Sequence, residues 1–460
     1  MDFTELYKQS SNLCRFSPDG LFLATAVQYR VVIRDAETLQ ILHLFTCTDT
    51  VQFIEWSPDS ELVCCASFKL GAIQVWSVRN EDWTAKIEEG VAGCVGVRWT
   101  PDSRHLLSFS DYELRITIWS LVTKEACYIQ YPKYVDRGHC FRKDGRYFAL
   151  AERNDCKDYI SVYDCEDWSL LKRFPTETAD LTDIAWSPDG QYLAVWETIL
   201  DYKVCIYHPD GRLAASYSAY DSGLGIKSVS WSPSSQFLAI GSYDQKIRLL
   251  NHLTWNPILQ YSHFKELGEG VTTFVERDTS VDEVPSAPWS QQSSMPRIKY
   301  ELVDSPHKVQ EIRPDPDKPN PKLGIGFLAF NPTGQFLAAR NDNQLTTVWI
   351  HTLHPPSPRP VVIEHRNPVR QVKWNPVVPN RLAICCGNGV VYLAEVGVDG
   401  TACDAVEIPA VNFSVQSFSW SPDGRSLALM DKDKFCLAFP VDEEIYETTE
   451  DTGDHRQVTD

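Results

Sequence analysis

Several residues in this chain have the chemistry to hold a metal or act on a substrate, and their spacing argues against each. His351 and His354 stand three apart, a separation that could put two imidazoles on one metal. Two prolines follow them, and the stretch reads as a loop. Fourteen cysteines could bind zinc or exchange disulfides, yet no two are separated by the two residues those motifs use. Most lie in apolar text, such as Val63-Cys64-Cys65-Ala66 and Ile384-Cys385-Cys386-Gly387, which reads as buried free thiols of a reducing compartment. Gly324-Ile325-Gly326 is not followed by the Gly-Lys-Ser/Thr of a phosphate loop, and no Gly-x-Ser-x-Gly elbow occurs. Asp164, Asp167 and similar residues are explained by turn bonding rather than by paired acid–base work. The expectation is no catalytic residue, no metal and no cofactor.

What remains is the chemistry of recognition. Charged and aromatic residues gather between apolar runs: Arg153, Asn154, Asp155 and Asp158 within 152–158, Tyr202 in 198–202, Tyr220 in 220–223, and Arg340, Asn341 and Asp342 in 340–343. Exposed Arg and Tyr are the residues that dominate protein–protein contacts. These nine are the candidate partner-binding residues.

A repeated phrase must position them. It reads apolar, x, aromatic, Ser, Pro, Asp, Gly, x, x, Leu, Ala. Its aromatics are Phe16, Trp56, Trp99, Phe141, Trp186, Trp231, Phe330, Trp374 and Trp420, spaced 40 to 46 residues apart except for one step of 99. Each unit alternates apolar and polar residues before the aromatic, turns through Ser-Pro-Asp-Gly, and continues as three more strand-like pieces, as in 225–261. Pro presets φ, Asp bonds the local backbone and Gly tolerates the exit geometry, so neighbouring strands pair antiparallel without a helix. This period predicts an all-β fold, a WD40-type β-propeller of about nine four-stranded blades. Residues 3–8 read as an orphan strand, and the last copy, 413–439, ends after three. Pairing the two would complete the ninth blade and remove an open edge. A seven-bladed ring with extra repeats and two partial propellers are the alternatives. Trp83, Trp168 and Trp255 each follow a third strand and are expected to cap the outer one.

The 99-residue step holds an insertion at 262–322, rich in proline and containing Ser290-Gln291-Gln292-Ser293-Ser294, with two strand-like pieces at 271–275 and 297–302. Long loops of this kind are functional or disordered, and the functional reading is a hairpin flap on the face carrying the turns between second and third strands. The propeller thus spans 1–440. Residues 441–460 form an acidic tail of eight acids and one Arg, expected to be disordered. The net charge of −19 disfavours a nucleic-acid surface. No run of 18 apolar residues suggests a membrane span, and the acidic start is unlike a signal peptide, so an intracellular protein is expected.

Several stretches go beyond the generic repeat: Ala149-Leu150-Ala151-Glu152-Arg153-Asn154-Asp155-Cys156-Lys157-Asp158-Tyr159, Gly225-Ile226-Lys227-Ser228-Val229, Asn251-His252-Leu253-Thr254-Trp255 and Asn320-Pro321-Lys322-Leu323-Gly324-Ile325-Gly326. With these, the chain from about 1 to 440 resembles the centrosomal and spindle-pole WD-repeat family that includes WD-repeat-containing protein eight. The resemblance implies a non-enzymatic scaffold at the centrosome, centriolar satellites or spindle pole body. It implies a coiled-coil adaptor as partner and, in fungi, a minus-end-directed kinesin-14 motor. Microtubule minus-end anchoring, spindle organisation and early cilium assembly are the implied roles. Two other classes compete. A translation-initiation scaffold would need a basic ribosome-facing patch, and a channel enzyme would need acids or histidines on the inner strands, where Val229-Ser230-Trp231 and Ile184-Ala185-Trp186 offer little.

Overall fold

The computed structural model describes residues 1–278, 298–315, 317–318, 320–353, 359–397 and 400–440. They form nine antiparallel blades around a ring, beginning at Cys14–Phe16, Phe53–Trp56, Gly96–Trp99, His139–Phe141, Leu181–Trp186, Ile226–Trp231, Ile325–Phe330, Gln371–Trp374 and Ser417–Trp420. The tail 441–460, the Ser/Gln cluster 290–294 and His354 lie outside the described residues. Each aromatic of the repeat ends the first strand of its blade.

The Ser-Pro-Asp-Gly turn is self-contained, which explains why it recurs. Ser17 Oγ donates to Asp19 Oδ1 (2.5 Å) and accepts from the Phe22 N–H (2.9 Å), while Asp19 Oδ1 accepts from the Leu21 N–H (3.0 Å). The fourth turn position is left-handed. Gly20 takes it at φ +78°, and Ser60, Ser103 and Ser235 take it near +60°. Each of those serines accepts the N–H of the turn aspartate in the preceding blade: Asp19 to Ser60, Asp59 to Ser103 and Asp189 to Ser235, at 2.9–3.0 Å. Where glycine remains, the turns pack closely instead. A Cβ on Gly145 would lie 2.6 Å from Pro101 Cβ, and Gly20 faces Pro422 of the last blade. Asn331 and Asn375 bond Pro379 O and Gly424 O across the seams of blades seven and eight and of eight and nine. The turns therefore form a hoop on one face, the lower, opposite the upper face that carries the turns between second and third strands.

The core is divided among the seams between blades. An example is the seam of blades one and two, where Ala24, Val31 and Ile33 meet Ile54, Trp56 and Val63. Each such buried side chain is worth about 1.5–3 kcal/mol, and an isolated blade would leave both faces bare. Indoles add a second hoop. Trp56, Trp99, Trp231, Trp374 and Trp420 donate Nε1–H to Arg15 O, Glu55 O, Ala185 O, Ala329 O and Lys373 O at 3.0–3.2 Å. Every acceptor directly precedes the aromatic of the preceding blade. Trp168 and Trp255, expected to cap the outer strands, instead fill seams: Trp168 packs beside Phe148 between blades three and four, and Trp255 against Tyr192 and Trp231 between five and six.

The ring closes as the sequence suggests, through two short N-terminal strands. Asp2 and Phe3 pair with Phe439 and Ala438, and Tyr7 and Lys8 pair with Phe435 and Lys434. Gln9 Nε2 reinforces the junction by donating to Asp431 O and Lys434 O at 2.7 and 2.9 Å.

The insertion differs from the expected flap on the loop face. Thr272–Asp278 pairs antiparallel with Ile298–Val303, and also runs parallel to Val361–Glu364, the outer strand of blade seven. That blade is therefore six-stranded. Phe274, Ile298 and Tyr300 pack into the seam of blades seven and eight, and Leu267 and Val309 into that of six and seven. Apolar residues on the inner side of the hairpin fix it to the rim. His351, read as part of a loop, lies in the strand Thr347–Thr352 and is buried.

Candidate protein-interaction surface

The sequence-derived candidates share the upper face, and burial divides them. Asn154 and Asp155 are exposed, and Asp155 with Cys156 forms a two-residue hairpin turn at φ +48° and +61°. The surrounding stretch is paired strand up to Asn154 and Lys157, not a long loop. Asp158 is buried: its Oδ2 accepts from Lys133 Nζ (2.9 Å) and the Leu181 N–H (2.6 Å), joining blade four to blade five. Arg153 and Lys133 both reach Asp180 Oδ1 at 2.7 Å. Burial would raise the Asp180 carboxyl, but these two cations outweigh it and hold it below its ordinary value.

The other candidates are also clasps. Tyr202 is buried edge-on against Tyr220, with ring centroids 4.8 Å apart, and Arg248 lies over both rings. Asp342 pairs with Lys227 at 2.7 Å across the seam of blades six and seven. Arg340 donates to Val369 O (2.9 Å) in blade eight, and the buried Asn341 donates to Gln245 Oε1 (3.0 Å) in blade six. Asp158, Tyr202 and Asn341 cannot meet a partner without opening a seam.

The inner strands are more polar than blades five and six suggest. Arg15, Glu55, Arg98 and Lys373 occupy the position just before the repeat aromatic. Burial raises the Glu55 carboxyl, opposed by the Trp99 N–H bond and by the charges of Arg98 and Arg15. Among the described residues, no group of three or more His, Cys, Asp or Glu is placed to hold a metal.

A different stretch of the upper face has the character of a docking surface. Leu70, Val91, Val95, Tyr112, Leu114 and Tyr131, from the loops of blades two and three, are all exposed large apolar residues. Their loops touch. A Cβ on Gly71 would meet Cys94 N and Gly90 O, one on Gly93 would meet Asp111 Cβ at 3.5 Å, and the Tyr131 N–H donates to Leu114 O at 3.3 Å. Tyr112 and Tyr131 are 84% and 68% exposed, yet sit at φ +55° and +60°, where bulky side chains are strained.

Below the patch, Glu89 anchors the helical turn Gly90–Ala92 that carries Val91. Its buried carboxylate accepts from Trp119 Nε1 (2.6 Å), from Ser108 Oγ and from Thr117 Oγ1 (3.3 Å). The apolar side chains thus stand on loops whose footing is fixed. Sequence reading passed over them because single apolar residues in short connections look like strand ends. The available signal was Val91 set between Gly90 and Gly93.

The WD40 family model (WD domain, G-beta repeat) matches residues 168–195 and 211–251. WD repeat-containing protein WRAP73 of Mus musculus is 48% identical over 448 residues, covering 95% of this chain and 96% of the relative. The chain belongs to this WD-repeat family. A WD repeat-containing protein of Schizosaccharomyces pombe is 24% identical over 481 residues, covering 98% of this chain and 95% of its own. A chain of the solved "Crystal Structure of Mitotic Checkpoint Complex" aligns over 74% of this chain and 84% of that one, at 12% identity and a TM-score of 0.41. The matched WD repeats begin near the fourth strand of one blade and run into the next. This stagger between sequence repeat and blade is what leaves the N-terminal strands to complete blade nine.

Proposed function

We propose that this WD-repeat propeller is a non-enzymatic scaffold of the centrosome or spindle pole body. It tethers a coiled-coil adaptor, and in fungi a kinesin-14 motor, to anchor microtubule minus ends, with roles in spindle organisation and cilium assembly. The observation that carries the scaffold reading is the apolar patch of blades two and three, in which two exposed tyrosines are held in a strained backbone conformation above a buried anchor. Such aromatics on pre-organised loops suit the apolar seam of a helical partner. The centrosomal assignment rests on the resemblance in the stretches quoted above.

Replacing Tyr112 and Tyr131 by glycine tests the reading cleanly, because glycine relieves the left-handed strain and leaves the ring folded. Affinity capture from dividing cells by the intact chain is expected to recover a coiled-coil centrosomal protein, and the double variant to lose it at least tenfold. Undiminished capture by the variant would move the contact off this patch. Recovery of ribosomal subunits in place of the adaptor would overturn the centrosomal assignment.

A further inference from the structure

The fourteen cysteines read as inert from their apolar surroundings, and one pair departs from that description. Cys47 follows the outer strand Ile41–Thr46 of blade one, and its N–H is bonded to Tyr29 O at 2.7 Å. Cys65 lies on the second strand of blade two, Leu62–Ser67, opposite Ile54 and Gln74. Their sulfurs face each other across the seam at 3.4 Å. The next residue, Thr48, donates its N–H to Gln74 Oε1 (3.1 Å), so the crossover carrying Cys47 is tied to the same blade as Cys65.

Three further features suit the pair to oxidation. Cys47 is half-buried, whereas Cys65 is buried behind it. Both cysteines, Thr48, Asp49, Ser67 and Gln74 close tightly around the contact, leaving no room for a water molecule between the sulfurs. The adjacent Cys64 is on the opposite face of its strand, packed with Trp99 in the seam of blades two and three, and cannot compete. The proton inventory agrees. The thiol–thiol hydrogen bond lowers the pKa of Cys47, while that same bond and burial raise Cys65. Cys47, the more exposed of the two, is the attacking sulfur and Cys65 the resolving one.

We infer that Cys47 and Cys65 are a redox modification site, forming a reversible disulfide that joins blade one to blade two in the presence of hydrogen peroxide. The Cys47 thiolate attacks one peroxide oxygen; the O–O bond breaks, sulfenic acid forms and hydroxide leaves to be protonated. Cys65 then loses its proton and attacks the Cys47 sulfur; the S–S bond forms, the S–O bond breaks and a second water is released. Two thiols are oxidised by two electrons in total, and one peroxide is reduced to two waters. The bond would fix the strand leading directly into the Leu70 turn, at the edge of the apolar patch.

The test uses the intact folded chain. It is exposed to hydrogen peroxide, quenched, denatured in the presence of an alkylating reagent that caps every remaining thiol, and cut by a glutamyl endopeptidase at Glu55 or Glu61, which separates Cys47 from Cys65. The expected product is a linked pair of fragments lighter by two hydrogens, with fragmentation placing the bond at Cys47 and Cys65, and dithiothreitol releasing it. Cys47→Ser and Cys65→Ser abolish the link and Cys64→Ser retains it. Mapping on the unsubstituted chain decides the question even where a variant fails to fold. A bond to Cys64, sulfinic acid on Cys47 with Cys65 still alkylated, or both thiols intact after the exposed Cys127 and Cys156 have been oxidised would each overturn the inference.

Discussion

Asp158 and Asp155 are three residues apart, and the difference between them shows what a carboxylate does in this ring. Asp155 points to water at a hairpin tip, while Asp158 is buried with Lys133 and the Leu181 N–H as partners. Removing one member of a buried ion pair leaves the other charge uncompensated, at a cost of about 3–5 kcal/mol. Asp158→Ala is therefore expected to lower the urea midpoint sharply, and Asp155→Ala to change stability by less than about 0.5 kcal/mol. Equal effects would mean that the clasp between blades four and five carries no weight. The two were indistinguishable in sequence because the partners of Asp158 come from other elements, Lys133 before its blade and Leu181 in the next. Polar text between apolar runs identifies the upper face correctly, but not which side chains the adjoining blade covers.

Elements were more legible where their determinants are local. Every bond of the Ser-Pro-Asp-Gly turn at residues 17–22 lies within six residues, so the nine turns and their period could be read directly, and the incomplete last blade pointed to the N-terminal strand. The insertion was only half legible. Its two strand pieces follow from alternation, but their place on the rim depends on parallel pairing with Val361–Glu364, far along the chain. That pairing yields a prediction. Tyr300→Ala, which empties part of the seam of blades seven and eight, is expected to lower stability by about 3 kcal/mol. The turn hoop makes a second prediction: Gly145→Ala meets Pro101 Cβ at a left-handed φ of +76° and is expected to cost more than about 1 kcal/mol in denaturant unfolding.

The whole molecule has a pH dependence set by histidines buried in the neutral form. His263 and His351 face each other with Nε2 atoms 3.1 Å apart, stacked against Trp349 and Tyr261. Burial lowers both, and the charge of His351 lowers His263 further; His351 falls to about 3. His139, buried and close to the Arg98 charge, falls to about 4. The unfolded chain binds protons at these sites below about pH 6.5 while the folded ring does not. Their contribution is therefore complete above pH 6.5 and is lost as the pH falls toward 4, at up to about 1.4 kcal/mol per pH unit for each histidine. His351→Phe is expected to flatten that slope by close to one proton in unfolding titrations between pH 6.5 and 4.5; an unchanged slope would mean that His351 titrates normally.

Closure by the N-terminal strands also has a consequence for synthesis. Phe3 leaves the ribosome well ahead of its partner Ala438, which is translated more than four hundred residues later. At about 5–20 residues per second, the opening strand waits about 20–90 s for its sheet. During that interval the growing arc presents an unpaired edge at each end, the geometry most prone to joining another nascent chain. Those edges need shielding until blade nine has been made, so the yield is expected to depend on chaperone supply more than the stability of the finished ring would suggest.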